Sequence, residues 1–396
     1  MLESYIKNIQ LIKADSDNIT TGMGVHIKDG SINRIVPEAE LPDTGETVDG
    51  NGGFLLPGFI DLHIHGAGQY LLDFGLDHLD GLRSLLPKFG VTSFLPTVLP
   101  KKEGDDSEYL RNLINGASKN GGLTDILGFF MEGPFVALKG AISPEALNPK
   151  SLVRAEKLLD AAGDTLLVLA VAPEIDNAPE IVSRIVELGG KVFITHTAAG
   201  PEETQAAVDM GASHATHFYD VFYPPEPKDE GVRPAGAVEV ILADPRVTVD
   251  FILDGEHVHP SAVKAALACK GLGGVSLITD SNLGAGMPPG RYKGINNSEI
   301  EIFYPGGPAR GTENSPWPGG LAGSGLTMNM ALINGIKLLG LSLPQVSAMV
   351  SSNPAAVAGA ERKGKIAQDF DADLVLLDKN MNVKSTWVRG KLAYKG

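Results

Sequence analysis

The chain has 396 residues, 43% hydrophobic and 20% charged, enough apolar material for a sizeable core. Its 33 Lys and Arg against 48 Asp and Glu leave a net charge of −15, which disfavours a general binder of nucleic acid or anionic membrane, since both need a positive field. The single cysteine, Cys269, excludes an intrachain disulfide and a cysteine-rich metal site, so a metal would have to be held by histidines and carboxylates.

Met1–Asp15 has no basic stretch followed by a long apolar run, so no secretory signal is expected. Apolar runs such as Leu166–Pro173 fall far short of the ~20 residues that cross a membrane. A cytoplasmic protein is the expectation. Residues 1–55 read as small β-hairpins: Ile9–Ile12 and Val25–Lys28 are short and β-branched, while Lys28-Asp29-Gly30 and Glu46–Gly53 are rich in turn formers. The middle alternates between apolar runs and helical patterns. Strands are expected at Gly58–His63, Thr92–Leu95, Ile126–Met131, Leu166–Val171, Val192–His196, His214–His217, Val247–Leu253 and Val275–Thr279. Helices are expected at Leu79–Phe89, Glu108–Lys119, Leu152–Ala162, Ala178–Leu188, Pro201–Met210 and Pro260–Lys270. This alternation fits a (β/α)8 TIM-like barrel over residues 56–357. A doubly wound sheet is the competitor, but no Gly-rich phosphate loop follows the first strand. Pro224–Gly236, Asn282–Gly290 and Pro305–Gly320 are rich in Gly and Pro and are expected to form lids or connections. At the C-terminus Ala372–Leu377 and Val383–Arg389 read as strands around a turn at Lys379-Asn380. So few short strands need partners. The two ends are therefore expected to pair into one small β-sandwich domain, residues 1–55 plus 358–396.

The placement of the histidines is the main chemical signal. His63 and His65 close the first barrel strand, and residues i and i+2 of a strand face the same side. Glu132, His196, His217 and Asp280 each stand at or just past the end of a later strand, where a barrel gathers its catalytic groups. A lone His or Asp at a strand end is usually a satisfied polar group or a helix cap; His26 and His78 fall in that class. Six such residues in one pattern point instead to a metal. Imidazole and carboxylate without thiolate suit zinc first, with iron, cobalt and manganese as alternatives.

Pro57-Gly58-Phe59-Ile60-Asp61-Leu62-His63-Ile64-His65-Gly66 resembles the opening motif of the amidohydrolase superfamily. Met131-Glu132-Gly133-Pro134-Phe135, Ala215-Thr216-His217, Asp254-Gly255-Glu256-His257-Val258, Thr279-Asp280 and Leu321-Ala322-Gly323-Ser324 follow in an order, over nearly the whole chain, that resembles the N-acetylglucosamine-6-phosphate deacetylase family. The resemblance implies that Glu132, His196 and His217 hold the principal metal. It implies that His63 and His65 serve a second ion, giving one or two ions per chain with Glu132 as the bridge. It makes Asp280 the general acid/base and places His257 and Arg233 at the substrate, Arg233 near the sugar phosphate. It also implies a homodimer.

Three positions depart from the family pattern. Phe130 stands where a His usually precedes the apolar-Glu-Gly-Pro run. Ile142 replaces a His after Lys139-Gly140-Ala141. Asp220 replaces an Asn beside the expected phosphate, where a carboxylate is repulsive unless a cation intervenes. None of them is a metal ligand in that pattern. The expected activity is therefore metal-dependent removal of acetyl from N-acetylglucosamine 6-phosphate. The alternatives are a related N-acyl amino sugar, either the galacto epimer or an unphosphorylated one, then cyclic-amide hydrolysis, then a non-catalytic sugar-binding protein.

Overall fold

The structure, a computed structural model, describes residues 3–13, 18–42, 45–117, 123–294 and 298–396. Eight parallel strands form the barrel: β1 (Phe59–Ile64), β2 (Val91–Val98), β3 (Phe129–Phe135), β4 (Leu167–Val171), β5 (Lys191–Ile194), β6 (His214–Ala215), β7 (Thr248–Ile252) and β8 (Val275–Ile278). Each pairs with the next, and a bridge from Ile64 to Ser281 joins the last to the first. Asp125–Ile126, also paired with β2, is the detached start of β3. The strands are near-continuous Val, Ile, Leu and Phe runs, because helices cover the outside and side chains fill the inside. The covering helices are α1 (Leu76–Leu85), α2 (Asp105–Gly116), α3 (Leu152–Ala162), α4 (Ala178–Glu187), α5 (Pro201–Asp209), α6 (Ala237–Ala243) and α7 (Pro260–Lys270).

Helix ends follow local chemistry. α1 yields to a 3-10 turn, Leu86–Phe89, at Pro87, which has no N–H for the α-helical ladder. Ser151 caps α3 by accepting from the Arg154 N–H at 3.2 Å. The last residues of the helix expected over Glu108–Lys119 lie outside the described residues.

The two chain ends make one hydrogen-bonded eight-stranded sheet. Glu3–Ile12 runs parallel to Glu46–Pro57, which pairs antiparallel with Leu374–Leu377. Ile6, Leu11, Val25, Leu55, Leu374 and Trp387 belong to its own apolar core. The turn-rich Glu46–Gly53 is part of a strand, not a turn. Its Asn51 and Gly52 take positive φ (52° and 67°) and absorb a register shift opposite Asn8. Between β8 and the last barrel helices lies a four-stranded antiparallel sheet, Gly290–Lys293, Glu299–Ile302, Pro308–Gly311 and Leu321–Ser324, of which Pro308–Gly311 falls in the connection expected over Pro305–Gly320. The alternation Glu299-Ile300-Glu301-Ile302 was its sequence signal, masked by the surrounding Gly and Pro.

Lys363, Asp125, Asp373 and Arg389 lock the barrel to the terminal sheet: Asp125 takes Lys363 Nζ at 2.8 Å and Arg389 Nε at 2.7 Å, and Lys363 also bonds Asp373. Inside the barrel wall, Arg154 and Asp106 form an ion pair at 2.7 Å with side chains only 1% exposed. The same guanidinium donates to the carbonyls of Lys101, Ala146 and Pro149, fixing the loops that follow β2 and β3. Arg154→Ala leaves a buried carboxylate uncompensated. It is expected to lower stability by about 3–5 kcal/mol, read by urea denaturation.

Candidate active site

Three of the candidate residues leave their strands with left-handed backbone: His196 (φ 51°), His217 (φ 34°) and Asp280 (φ 44°). Such a conformation costs a non-glycine residue on the order of 1–2 kcal/mol and persists where surrounding contacts enforce it. Here those contacts are tight. Asp280 N–H donates to His63 O at 2.8 Å, and Asp280 O accepts from Ser324 N–H at 2.8 Å. His217 N–H donates to Asp250 Oδ1 at 2.6 Å, and Asp250 is itself held by His214 at 2.8 Å. The turn at each strand end brings these side chains to one place at the barrel mouth.

The structure brings His63, His65, Glu132, His196, His217 and Asp280 together, all buried. Glu132 is central: Oε1 lies 3.0 Å from His196 Nε2, 3.1 Å from His217 Nε2 and 3.8 Å from His63 Nε2, and Oε2 lies 3.2 Å from His65 Nε2. Asp280 Oδ1 is 3.4 Å from His63 Nε2 and 3.3 Å from His65 Nε2. Three of the rings are held from behind at Nδ1. His196 donates to Leu138 O (2.8 Å), His217 to Asp220 O (3.2 Å), and His63 contacts Thr216 Oγ1 (3.0 Å). A carbonyl can only accept, so in His196 and His217 the Nδ1 keeps its proton and a neutral ring turns its Nε2 lone pair inward. Gly140 packs against the His196 ring; a Cβ there would lie 2.5 Å from Cε1, and its φ of +50° also favours glycine.

This arrangement fits a divalent cation. His63 Nε2 and His65 Nε2 stand 3.2 Å apart, and Asp280 Oδ1 is buried without a hydrogen-bond partner. Lone pairs crowded around one point repel unless a cation sits among them. Two sets of three ligand atoms, from His63, His65 and Asp280 and from His63, Glu132 and His217, each lie within 4.8 Å of one another. Among themselves these groups divide the protons: burial, only partly opposed by the charges of Asp280 and Glu132, pushes His63 down to about 4. Burial opposes a charge on His217, yet the hydrogen bond and charge of Glu132 push it up to about 10. Burial likewise opposes the Glu132 charge, but His196, His217 and His65 hold it well below the usual carboxylate range.

The remaining candidates divide. His257 is buried, bonded through Nδ1 to Asp254 at 2.7 Å. Asp220 is half-buried, and its charge acts on both His217 and His257. Arg233 makes no contact with the cluster: its side chain is 85% exposed and pairs with Glu239 at 2.7 Å. Phe130 meets the His63 ring edge-on, centroids 4.9 Å apart, and Ile142 is buried in the same apolar core, so two of the departures are apolar packing. His259 caps α7, accepting from Ser261 N–H. His26 bonds Glu3, and His78 accepts from Leu71 N–H.

Sequence reasoning missed residues behind the cluster. Asp61 accepts from the N–H groups of His63 (3.3 Å) and Thr279 (3.2 Å) and from the Thr279 hydroxyl (2.6 Å), tying β1 to β8 beneath the site. Burial pushes Asp61 up to about 7 against those hydrogen bonds. Asp73 also escaped notice. Burial raises it, opposed by the charges of His65 and Lys101.

A nearly closed parallel barrel with histidines and acids gathered at its mouth, and a sheet domain from both termini, defines a class of hydrolases. The amidohydrolase family model matches residues 54–393. The chain is 32% identical over 397 residues to the N-acetylglucosamine-6-phosphate deacetylase of Lysinibacillus sphaericus, covering 99% of this chain and 98% of that one. It is 31% identical over 373 residues to the N-acetylgalactosamine-6-phosphate deacetylase of Escherichia coli O157:H7, covering 93% and 94%. The N-acetylglucosamine-6-phosphate deacetylase structure from Pasteurella multocida superposes with a TM-score of 0.87 at 25% identity, covering 100% of both chains. The chain belongs to the amidohydrolase family and, within it, to the N-acetylglucosamine-6-phosphate deacetylase family. Among the described residues no helix is long and apolar enough to cross a membrane.

Proposed function

We propose that this enzyme hydrolyses the acetamide of N-acetylglucosamine 6-phosphate to glucosamine 6-phosphate and acetate. The observation that carries the reading is the convergence of four imidazoles and two carboxylates at the barrel mouth. It occurs in a chain similar along 99% of its length to a deacetylase of that compound. His63, His65, Glu132, His196 and His217 would hold the metal, zinc first, as one or two ions. When bound, such an ion polarises an amide carbonyl and lowers the pKa of water toward ~7. Asp280 then does the proton work: its carboxylate takes a proton from the attacking water and returns it to the nitrogen as the C–N bond breaks. His257, through Nε2, would orient the sugar by accepting from a hydroxyl, or donate to the acyl oxygen when its ring carries a second proton. Arg233 would take the phosphate in its two-pronged geometry, exchanging Glu239 for it.

A second reading is the galacto epimer, favoured by the 31% identity to the galactosamine-type deacetylase. The test is acetate release by metal-reconstituted enzyme from both 6-phosphates. The expected result is turnover that stops on chelation and returns with metal, with the higher kcat/KM on the gluco compound. No metal-dependent acetate release from either would reject the function. A reversed preference selects the epimer.

A further inference from the structure

We propose that Asp254 is a positioning residue for the hydrolysis, fixing His257 so that its Nε2 faces the substrate; this rests on the deacetylase reading above. Asp254 stands two residues past the end of β7. Its Oδ1 accepts from the backbone N–H groups of Glu256 and His257, both at 2.9 Å, which folds Asp254–His257 into a tight turn. Its Oδ2 accepts from His257 Nδ1 at 2.7 Å, and both side chains are 0% exposed. A carboxylate can only accept, so the ring proton resides on Nδ1 and the ring plane is set by the turn itself. The opposite nitrogen, Nε2, is buried and has no hydrogen-bond partner among the described residues. A buried polar atom left in that state is uncommon and calls for a ligand group.

The surroundings strengthen the assignment. The turn is clamped from outside by the rim sheet: Arg310 reaches Glu256 at 3.2 Å, and the Tyr304 hydroxyl bonds the same carboxylate. From below, Asn334 Nδ2 donates to Leu253 O at 2.8 Å. The His257 ring lies within the electrostatic reach of Asp220 and Asp280, one beside the cluster and one in it. A segment held from outside and from below, with one imidazole nitrogen left open, is built to present that nitrogen at a fixed point. Asp254 makes no contact with the metal-binding cluster, so its part is to orient His257.

Asp254→Asn tests this. The asparagine carbonyl can still accept the two backbone N–H groups, but its amide faces Nδ1 as a donor. The proton should therefore move to Nε2. Three results are expected. Nitrogen NMR of histidine-labelled protein, with the His257 signal assigned from His257→Gln, shows the tautomer change from Nδ1–H to Nε2–H. kcat falls about 10- to 100-fold, the range for a partner that orients a functional imidazole, while bound metal and Tm stay at wild-type values. In a His257→Gln background, Asp254→Asn costs less than a further twofold. An unchanged tautomer, or an equal loss in both backgrounds, overturns the proposal. Should the wild-type enzyme release no acetate at all, the deacetylase reading fails, and the NMR result still decides whether Asp254 sets the ring.

Discussion

Asp280→Asn is expected to lower kcat by about 10²–10⁴-fold, the contribution typical of a positioned general acid/base, with metal content and Tm close to wild type. The substitution is nearly isosteric, and the backbone that places residue 280 survives it. Asp280 N–H still donates to His63 O, and Ser324 N–H still donates to Asp280 O. Gly323 packs so closely that a Cβ would lie 2.4 Å from Asp280 O, so the residue has little room to move. What changes is one oxygen's ability to hold a proton, 3.3–3.4 Å from His65 and His63 Nε2. Steady-state kinetics with metal analysis of the same sample check it. Full turnover by the variant would remove Asp280 from the proton path.

Glu132→Gln is the other large effect. Among the described residues Glu132 is the one carboxylate within 4 Å of all four clustered histidines. A neutral amide supplies one oxygen in place of two, and its N–H groups point donors toward a binding point that needs lone pairs. Losing a supporting partner behind a ligand commonly costs 10–100-fold in metal affinity; losing the central carboxylate is expected to cost at least about 100-fold. The variant should emerge from dialysis against a weak chelator without metal and without activity, while its far-UV circular dichroism is unchanged. Retention of wild-type metal stoichiometry would show that the histidines and Asp280 suffice.

Both predictions concern residues legible in the sequence alone, and the reason is periodicity. In a barrel each strand delivers its last residues to the same mouth, so His63 and His65, Glu132, His196, His217 and Asp280 could be collected by asking where apolar runs stop. The same logic located all eight strands to within a few residues at most ends. It failed where strands are short and punctuated by glycine and proline. Of the rim sheet, Pro308–Gly311 falls in the expected connection Pro305–Gly320 and Glu299–Ile302 carries no strand expectation, while Glu46–Gly53 reads as a turn, because glycine and proline nearby mask the alternation. Arg233 illustrates a different limit: its charge is plain in the sequence, but its pairing with half-buried Glu239 depends on a loop path that no local pattern encodes.

The sequence by itself determined the eight barrel strands and their order, the exclusion of a cysteine-rich metal site, and the identities of the groups that meet at the mouth, because strand periods and donor types are properties of local residues. Only the tertiary structure decided how those groups face one another. The left-handed turns at His196, His217 and Asp280, the Nδ1 partners that aim the rings inward, and the Asp254–His257 pair all arise from backbone and carbonyl positions. The barrel's closure sets those positions by joining residues as far apart as Asp61 and Thr279. A linear chain records which atoms are available; the packing of distant strands fixes the angle at which each is presented.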